Sequence, residues 1–575
     1  MIGLPLDDIP PRKKQYGAIG GAIAILLVVL FGTNLFAILK IYMVPVSDKG
    51  ICTIWDIQRP VSYEKNESSV NTILHSEDFR NSSAKVLSGM IQVDTQVFDD
   101  PPAVDASPEY WAKFEKFHEY LEKTFPAVYE KFEVTRVNTY GLVYVLKGRD
   151  SSLKPVMLTG HQDVVPVQKD TLGDWTYPPF SGHYDGDYVY GRGAADCKNT
   201  VLAIMEALEL LCQEAFQPAR TVVVALGMDE EVSGFHGARF IGQYLQERFG
   251  KDSFYAIIDE GFGLTKDETT GRIIAMPGTG EKGYLDVWAE LITPGGHSSI
   301  PPDHTSIGIM GELQMLIEKD QWAPIFSPKN PTFDYMQCLA KHAGNAMSTK
   351  LRKSILRAGY DKLANSYVAK ALTSIKESKY LIQTSQAMDI IVGGEKANAL
   401  PESVKLLTNH RIAIESNVQE VFDHFVARVL EVAKRHGLGV KVGNSTLIKS
   451  SGSGEFVIRD AGKSLEVAPR TPVDDNVWKN LAGVTRHIYE DLVFPDMKDP
   501  VIVAPAIMTG NTDTRHYWNL TKNIYRYTPF YSTSYTAEYK IHSVDEKMSM
   551  DNHLRVVAFF YEYLQVVDSK AADNE

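Results

Sequence analysis

A histidine and an aspartate stand two residues apart in Thr159-Gly160-His161-Gln162-Asp163, directly after the apolar run Pro155–Leu158. In an extended chain residues i and i+2 project to the same side, so the imidazole and the carboxylate share one space. A carboxylate behind an imidazole fixes the tautomer of a metal-binding histidine. Alone, the pair is explained as well by a surface loop. The same residue types recur, however, where other apolar runs end. Thr221–Gly227 leads into Met228-Asp229-Glu230-Glu231, and Phe254–Ile258 leads into Asp259-Glu260-Gly261. The Gly-rich stretch Tyr190–Asn199 carries Asp196 just before a helical segment, and Ile541-His542-Ser543 supplies a second histidine. Singly, each acid reads as a helix cap or a solvated turn. Jointly they do not, because acids gathered at one sheet edge repel unless cations neutralise them. Open α/β sheets place their ligand-bearing loops at the carboxyl ends of the strands. Histidine with carboxylates and no thiolate suits zinc in a hydrolytic site. Two adjacent glutamates let one bind metal while the other stays free as a base.

The elements that must hold these groups alternate between helices and apolar strands, which predicts an α/β catalytic domain with a mixed sheet covered by helices. Trp111, Phe114, Phe117, His118 and Leu121 share a helical stripe that reads as core. The pattern changes near residue 283. Tyr284–Leu291 alternates as a half-exposed strand should, a lysine-rich helical region covers roughly 340–378, and Val418–His436 is an amphipathic helix between two strands. This predicts a smaller α+β (ferredoxin-like) unit over 283–445, inserted between catalytic parts 106–282 and 446–575.

The net charge of −13 excludes a nucleic-acid surface, which needs a basic face. The four cysteines include no CxxC pair, so neither a disulfide framework nor a structural Cys-zinc site is expected. Tyr16–Leu39 carries no charge in 24 residues, enough to span a bilayer as a helix. Arg12, Lys13 and Lys14 precede it, which predicts an uncleaved type II anchor over 16–40 with the body on the far side of the membrane. Residues 1–15 then form a cytosolic tail, either an unstructured flank or a contact for sorting or ubiquitin machinery. Residues 41–105 read as a polar, irregular lumenal stalk. Four glycosylation sequons, at Asn66, Asn81, Asn444 and Asn519, follow the expected anchor.

The motifs GHQDVVPV, GRGAADCKN, MDEEVSG, IIDEGFG, TPGGHSS and IHSVDE stand in the order and spacing of the di-zinc aminoacylase and carboxypeptidase S metallopeptidase family, which the chain resembles over roughly 105–570. The anchor, the stalk and the lysine-rich insert resemble the fungal vacuolar carboxypeptidase S branch. The resemblance implies two zinc ions per subunit. One would be held by His161, Asp196 and Asp259, and the other by the bridging Asp196 with Glu231 and His542. Asp163 would orient His161, and Glu230 would be the general base. Some relatives carry Glu where Asp259 stands, and Glu260 offers a second carboxylate beside it. The resemblance further implies that the inserted unit is a lid and dimerisation domain, that His297 donates to the developing oxyanion, often from a partner subunit, and that Asn398, Arg411 and Arg515 hold the substrate. Arg411 and Arg515 read equally as structural ion pairs.

The expected activity is hydrolysis of the C-terminal amide bond of small peptides in a vacuolar lumen by a protein of the vacuole membrane. An N-acyl amino acid hydrolase is the alternative within the family, since the chemistry is the same. A catalytically dead membrane-tethered binding protein is the alternative from another class, and the full set of ligands and Glu230 argue against it.

Overall fold

The computed structural model describes residues 45–268 and 270–573. Its larger sheet has ten strands. The central order is Glu133–Val137, Gly141–Leu146, Val222–Gly227, Val156–His161, Ala256–Lys266, Ile524–Tyr531, Gly278–Glu281 and Ala506–Met508. Val222–Gly227, Val156–His161, Ala256–Lys266 and Ile524–Tyr531 run parallel at its centre. Alternation divides these strands between two helical layers. Val222, Val224 and Leu226 join the core shared with helices Lys198–Gln213 and Met550–Val566, while Val223 and Ala225 face helix Ala238–Phe249. Parallel strands buried on both faces read as continuous apolar runs, which is why they were visible in the sequence.

A second sheet of six strands takes its members from Gly283–Ile292, Ser385–Gly393, Ser403–Ile412, Gly439–Val442, Ser445–Ile448 and Glu455–Asp460. Leu285, Val287, Ala289 and Leu291 alternate into its core, under helices Ser306–Lys319 and Val418–Arg435. The last strand lies beyond residue 445, so the smaller unit runs on to Asp460. The helices between Pro331 and Lys379 do not cover this sheet. Phe333, Leu339, Ile355, Val368 and Leu372 pack with Ile274, Ile502 and Ala504 at the edge of the large sheet.

The segment 41–105, expected as an irregular stalk, belongs to the body over its described part. Helix Glu77–Gln92 starts at Ser76, whose side chain accepts from the Phe79 N–H, and carries Glu77 and Asp78 in its first turn, where the helix dipole favours them. It buries Ala84, Leu87 and Ile91 at helical spacing. Cys52 is disulfide-bonded to Cys338, a single bond beside the free and buried Cys197 and Cys212.

The expected transmembrane anchor at 16–40 and cytosolic tail at 1–15 lie outside the described residues. Among the described residues no helix is long and apolar enough to cross a membrane. Over the described residues the fold class is corrected to a two-sheet α/β protein in which no helix crosses a membrane, and the assignment to the vacuole membrane as a single-pass protein is withdrawn.

Candidate metal centre and active site

Five side chains from five separate segments meet at the carboxyl ends of the central strands. His161 closes strand Val156–His161 and is 1% exposed. Asp196 ends the Gly-rich loop before helix Lys198–Gln213. Glu231 lies in the 3-10 turn Glu230–Val232, which follows strand Val222–Gly227. Glu260 lies on strand Ala256–Lys266, and His542 in the loop before strand Lys547–Ser549. His161 Nε2 stands 3.2 Å from Asp196 Oδ1 and 3.2 Å from Glu260 Oε1. His542 Nε2 stands 3.1 Å from Asp196 Oδ2 and 3.2 Å from Glu231 Oε1. The two oxygens of Asp196 thus face two donor groups, His161 with Glu260 and His542 with Glu231; the Cys197 sulfur also lies in the first, and in each group the ligand atoms lie within 4.8 Å of one another.

Asp163 ties the loops together. It is fully buried, its backbone carbonyl and its Oδ1 lie 3.0 and 3.4 Å from His161 Nδ1, and its two side-chain oxygens accept the N–H groups of Glu230 and Glu231 at 3.1 Å each. One residue thereby orients both an imidazole and the turn that carries the paired glutamates. The Asp196 loop is held from below by Glu546, which accepts from the backbone of Gly193, Ala195 and Asp196. Asp229, first of the acidic run, accepts from the backbone of His236 and Gly237 and is structural. Cys197, adjacent to the bridge, meets the His161 backbone N–H at 3.2 Å through its sulfur.

The electrostatics show what these acids need. Burial, followed by the nearby Asp196 charge, pushes Glu231 and Glu260 up to about 7. Burial also raises Glu230 well above the ordinary carboxylate value, with Glu260 and Glu231 adding to the rise. Burial opposes ionisation of Asp196 too, but hydrogen bonds from His161 and His542 outweigh it and hold the carboxyl below its usual range. The bonds to Asp196 and Glu231 lift His542 to about 11. So many carboxylates in so little water are stable only beside positive charge. One histidine and one carboxylate on each side of a shared Asp196 fit a pair of divalent cations.

One ligand differs from the expected set. Asp259 does not face the cluster. Its Oδ1 accepts the Glu260 N–H at 2.9 Å, and its Oδ2 is buried without a hydrogen-bond partner. Neighbouring residues of an extended strand project to opposite faces. Ala256 and Ile258 pack in the core beneath helix Lys198–Gln213, and Ile257 packs in the core on the other side. Glu260 follows at the point where the pairing with Ile524–Tyr531 slips between Asp259 and Phe262, and it stands 3.2 Å from His161 Nε2.

The remaining expected residues lie apart from the cluster. His297 is exposed on the short strand Gly296–His297 and pairs through Nδ1 with Ser299 Oγ at 2.7 Å. Asn398 is exposed in the loop opposite, its carbonyl accepting from Ser298 N–H. Arg411 lies on strand Ser403–Ile412 and Arg515 in the turn Asp513–His516. Neither forms an ion pair among the described residues. Burial lowers the Arg411 pKa, and the Arg515 charge lowers it further. Asn511, which sequence reasoning did not single out, accepts from Arg411 Nη1 at 3.0 Å.

A model of peptidase family M20/M25/M40 matches residues 157–566. The chain belongs to this family. It is an enzyme, a hydrolase of the metallocarboxypeptidase kind, and the family's dinuclear metal binding agrees with two donor groups sharing Asp196. Carboxypeptidase S of Saccharomyces cerevisiae is 40% identical over 506 residues, covering 88% of this chain and 87% of the yeast protein. The N-fatty-acyl-amino acid synthase/hydrolase PM20D1 of Mus musculus is 31% identical over 516 residues, covering 89% and 92%. The M20 family metallo-carboxypeptidase Sso-CP2 from Sulfolobus solfataricus shares the fold with a TM-score of 0.56 at 15% identity, over 84% of this chain and 99% of that one.

Proposed function

We propose that this chain is a di-zinc carboxypeptidase that hydrolyses the amide bond next to the free carboxylate of small peptides. The observation that carries the reading is the placement of Asp196, with one oxygen facing His161 and Glu260 and the other facing His542 and Glu231. Zinc suits donors of imidazole and carboxylate type without thiolate. Bound there, two such cations would polarise the scissile carbonyl and make water a nucleophile near neutral pH. Glu230 supplies the proton traffic. Its backbone is fixed by Asp163, while its carboxylate makes no hydrogen bond among the described residues and is free to take a proton from water and pass it to the leaving amine. Arg411 and Arg515 supply positive charge for the substrate carboxylate, which a planar guanidinium fork matches in shape.

His297 and Asn398 join this reading only as groups delivered by movement of the smaller unit or by a second copy, the role the family resemblance implies. The glycosylation reading rests best on Asn444, in an exposed turn between two strands. It rests least on Asn81, whose sequon serine Ser83 is buried in a helix and bonded to Glu206.

The similarity to an N-fatty-acyl-amino acid synthase/hydrolase favours a second substrate class, because the same site cleaves either amide. The test is turnover of zinc-loaded enzyme on blocked dipeptides beside N-acyl amino acids. Faster hydrolysis of the peptides supports the carboxypeptidase reading. Activity confined to the N-acyl amino acids would replace it.

A further inference from the structure

The two sheets are joined by a very short hinge. Gly278–Glu281 is a strand of the large sheet and Gly283–Ile292 a strand of the small one, so Lys282 alone separates them. Lys282 is 1% exposed and its ammonium donates to the carbonyls of Tyr380 and Gln383 at 3.0 and 2.7 Å. The loop after strand Ala506–Met508 grips the same stretch. Lys282 N–H donates to the Met508 carbonyl at 3.1 Å, Asn511 Nδ2 donates to the Lys282 carbonyl at 2.7 Å, and Thr512 Oγ1 donates to Glu281 Oε1 at 2.8 Å.

Arg411 reaches this loop from the small sheet. It is the cross-strand partner of Tyr284, and its guanidinium lies over the Tyr284 ring at 4.7 Å. Tyr284 Oη is fixed in turn by Asp286 at 2.5 Å, and Asp286 by Asn409 at 2.7 Å. Arg411 Nη1 then donates to Asn511 Oδ1 at 3.0 Å. Asn511 therefore uses its acceptor on Arg411 and its donor on the hinge carbonyl. Neither bond survives a flipped amide, since arginine has no acceptor and a carbonyl no donor.

We propose that Asn511 is a positioning residue that fixes Arg411 relative to the metal centre and so restricts hydrolysis to bonds beside a free terminal carboxylate. The inference rests on the reading that Arg411 holds that carboxylate. The acid cluster and Glu230 ride on the large sheet, whereas Arg411 rides on the small one. In a peptide the last amide and the terminal carboxylate are one residue apart, so the two sheets must hold one spacing. A single amide bonded to both the arginine and the hinge peptide sets that spacing. An asparagine does so without neutralising the guanidinium, and four of its five N–H donors remain for the substrate. An aspartate in its place would compete with the substrate as a counter-ion.

The test compares the zinc-loaded wild-type enzyme with Asn511→Ala, Asn511→Asp and Arg411→Met, on one blocked dipeptide as the free acid and as the C-terminal amide. Removing a hydrogen bond to a charged group should raise KM for the free acid roughly tenfold or more. The kcat should stay within about threefold and hydrolysis of the amide should not change, so the preference for the free acid shrinks. Asn511→Asp should raise KM at least as far, and because it sets a carboxylate oxygen against the Lys282 carbonyl, thermal melts and zinc content of both variants establish that they are folded before KM is compared. An unchanged KM and preference in both Asn511 variants, or a fall in kcat at constant KM, overturns the proposal. If Arg411→Met raises KM and the Asn511 variants do not, only the role of Asn511 falls. If Arg411→Met leaves KM unchanged, the carboxylate reading falls and this inference with it.

Discussion

Glu546 and Arg192 form a buried ion pair at 2.5 Å, across 354 residues of chain. The other oxygen of Glu546 accepts from Gly193, Ala195 and Asp196 N–H. The segment that delivers His542 therefore also sets the backbone of the loop that delivers Asp196. Burial raises the Glu546 pKa to about 7, and Arg192 pulls it back toward ionisation. Replacing Glu546 with Gln should keep the shape but weaken the grip on three N–H donors. Metal affinity should fall about 10–100-fold, as for other groups that orient ligands. Zinc titration into chelator-stripped protein reads this directly, and an affinity equal to wild type would show that the loop holds itself.

Glu260 and Asp259 make separable predictions. Glu260→Gln should reduce bound zinc from two toward one per chain and cut turnover about a hundredfold. Asp259→Asn should leave the zinc content at two, because its oxygens belong to neither donor group and Oδ1 already accepts the Glu260 N–H. Elemental analysis of the two purified variants decides. Loss of metal in Asp259→Asn with retention in Glu260→Gln would restore the ligand set expected from the resemblance.

Glu230 tests the chemistry apart from the metal. Its carboxylate lies in neither donor group, so Glu230→Gln should bind two zincs and lose about 10²–10⁴ of kcat, the range for a general base. A loss of only a few-fold at full zinc content would move the proton transfer to another group.

What the sequence disclosed follows from where its signals were strong. Buried parallel strands left apolar runs, and the acids that follow them marked the site. His161, Asp163 and Glu231 follow such strands, and Asp196 and His542 reach them from loops that the fold brings to the same sheet edge. Glu260 was in view beside Asp259, but residue type and spacing do not choose between two adjacent acids, and the distance to His161 does. Asn511 lies in the segment 509–515 that the resemblance implies for holding substrate, but its bonds to Arg411 and to the Lys282 carbonyl are created only by the fold. Helix Glu77–Gln92 was legible at Ala84, Leu87 and Ile91 but lay inside a polar stretch. The pairing of Cys52 with Cys338 joins residues 286 apart and left no local trace.

That disulfide gives a stability prediction. It fastens the segment before Trp55 to helix Pro331–His342, away from the metal centre. Cys338→Ser should lower stability by about 2–4 kcal/mol without changing kcat. Denaturant melts of the described body under oxidising and reducing conditions provide the measurement. An unchanged midpoint would mean that the packing around Phe333 and Ile355 holds the segment without the bond.

The acid limb of stability should trace to Asp491. It accepts from Arg59 at 2.7 and 2.9 Å and lies 2.7 Å from His487 Nδ1, so it fastens the N-terminal segment to the end of helix Asn476–Arg486. The other face of His487 meets Glu562 at 3.3 Å, and Tyr63 packs against its ring. Burial raises the Asp491 carboxyl, but the bonds from Arg59 and His487 outweigh it and hold its pKa below the ordinary value. A carboxylate depressed in the folded state contributes stability that is present above its unfolded pKa of about 3.9 and is lost as pH falls through the folded value. Below pH 4 the unfolded chain takes up the proton first, so wild type should lose stability more steeply than Asp491→Asn. Thermal melts of the two proteins between pH 7 and pH 3 should converge at the acid end. Parallel curves across that range would place the acid sensitivity elsewhere in the molecule.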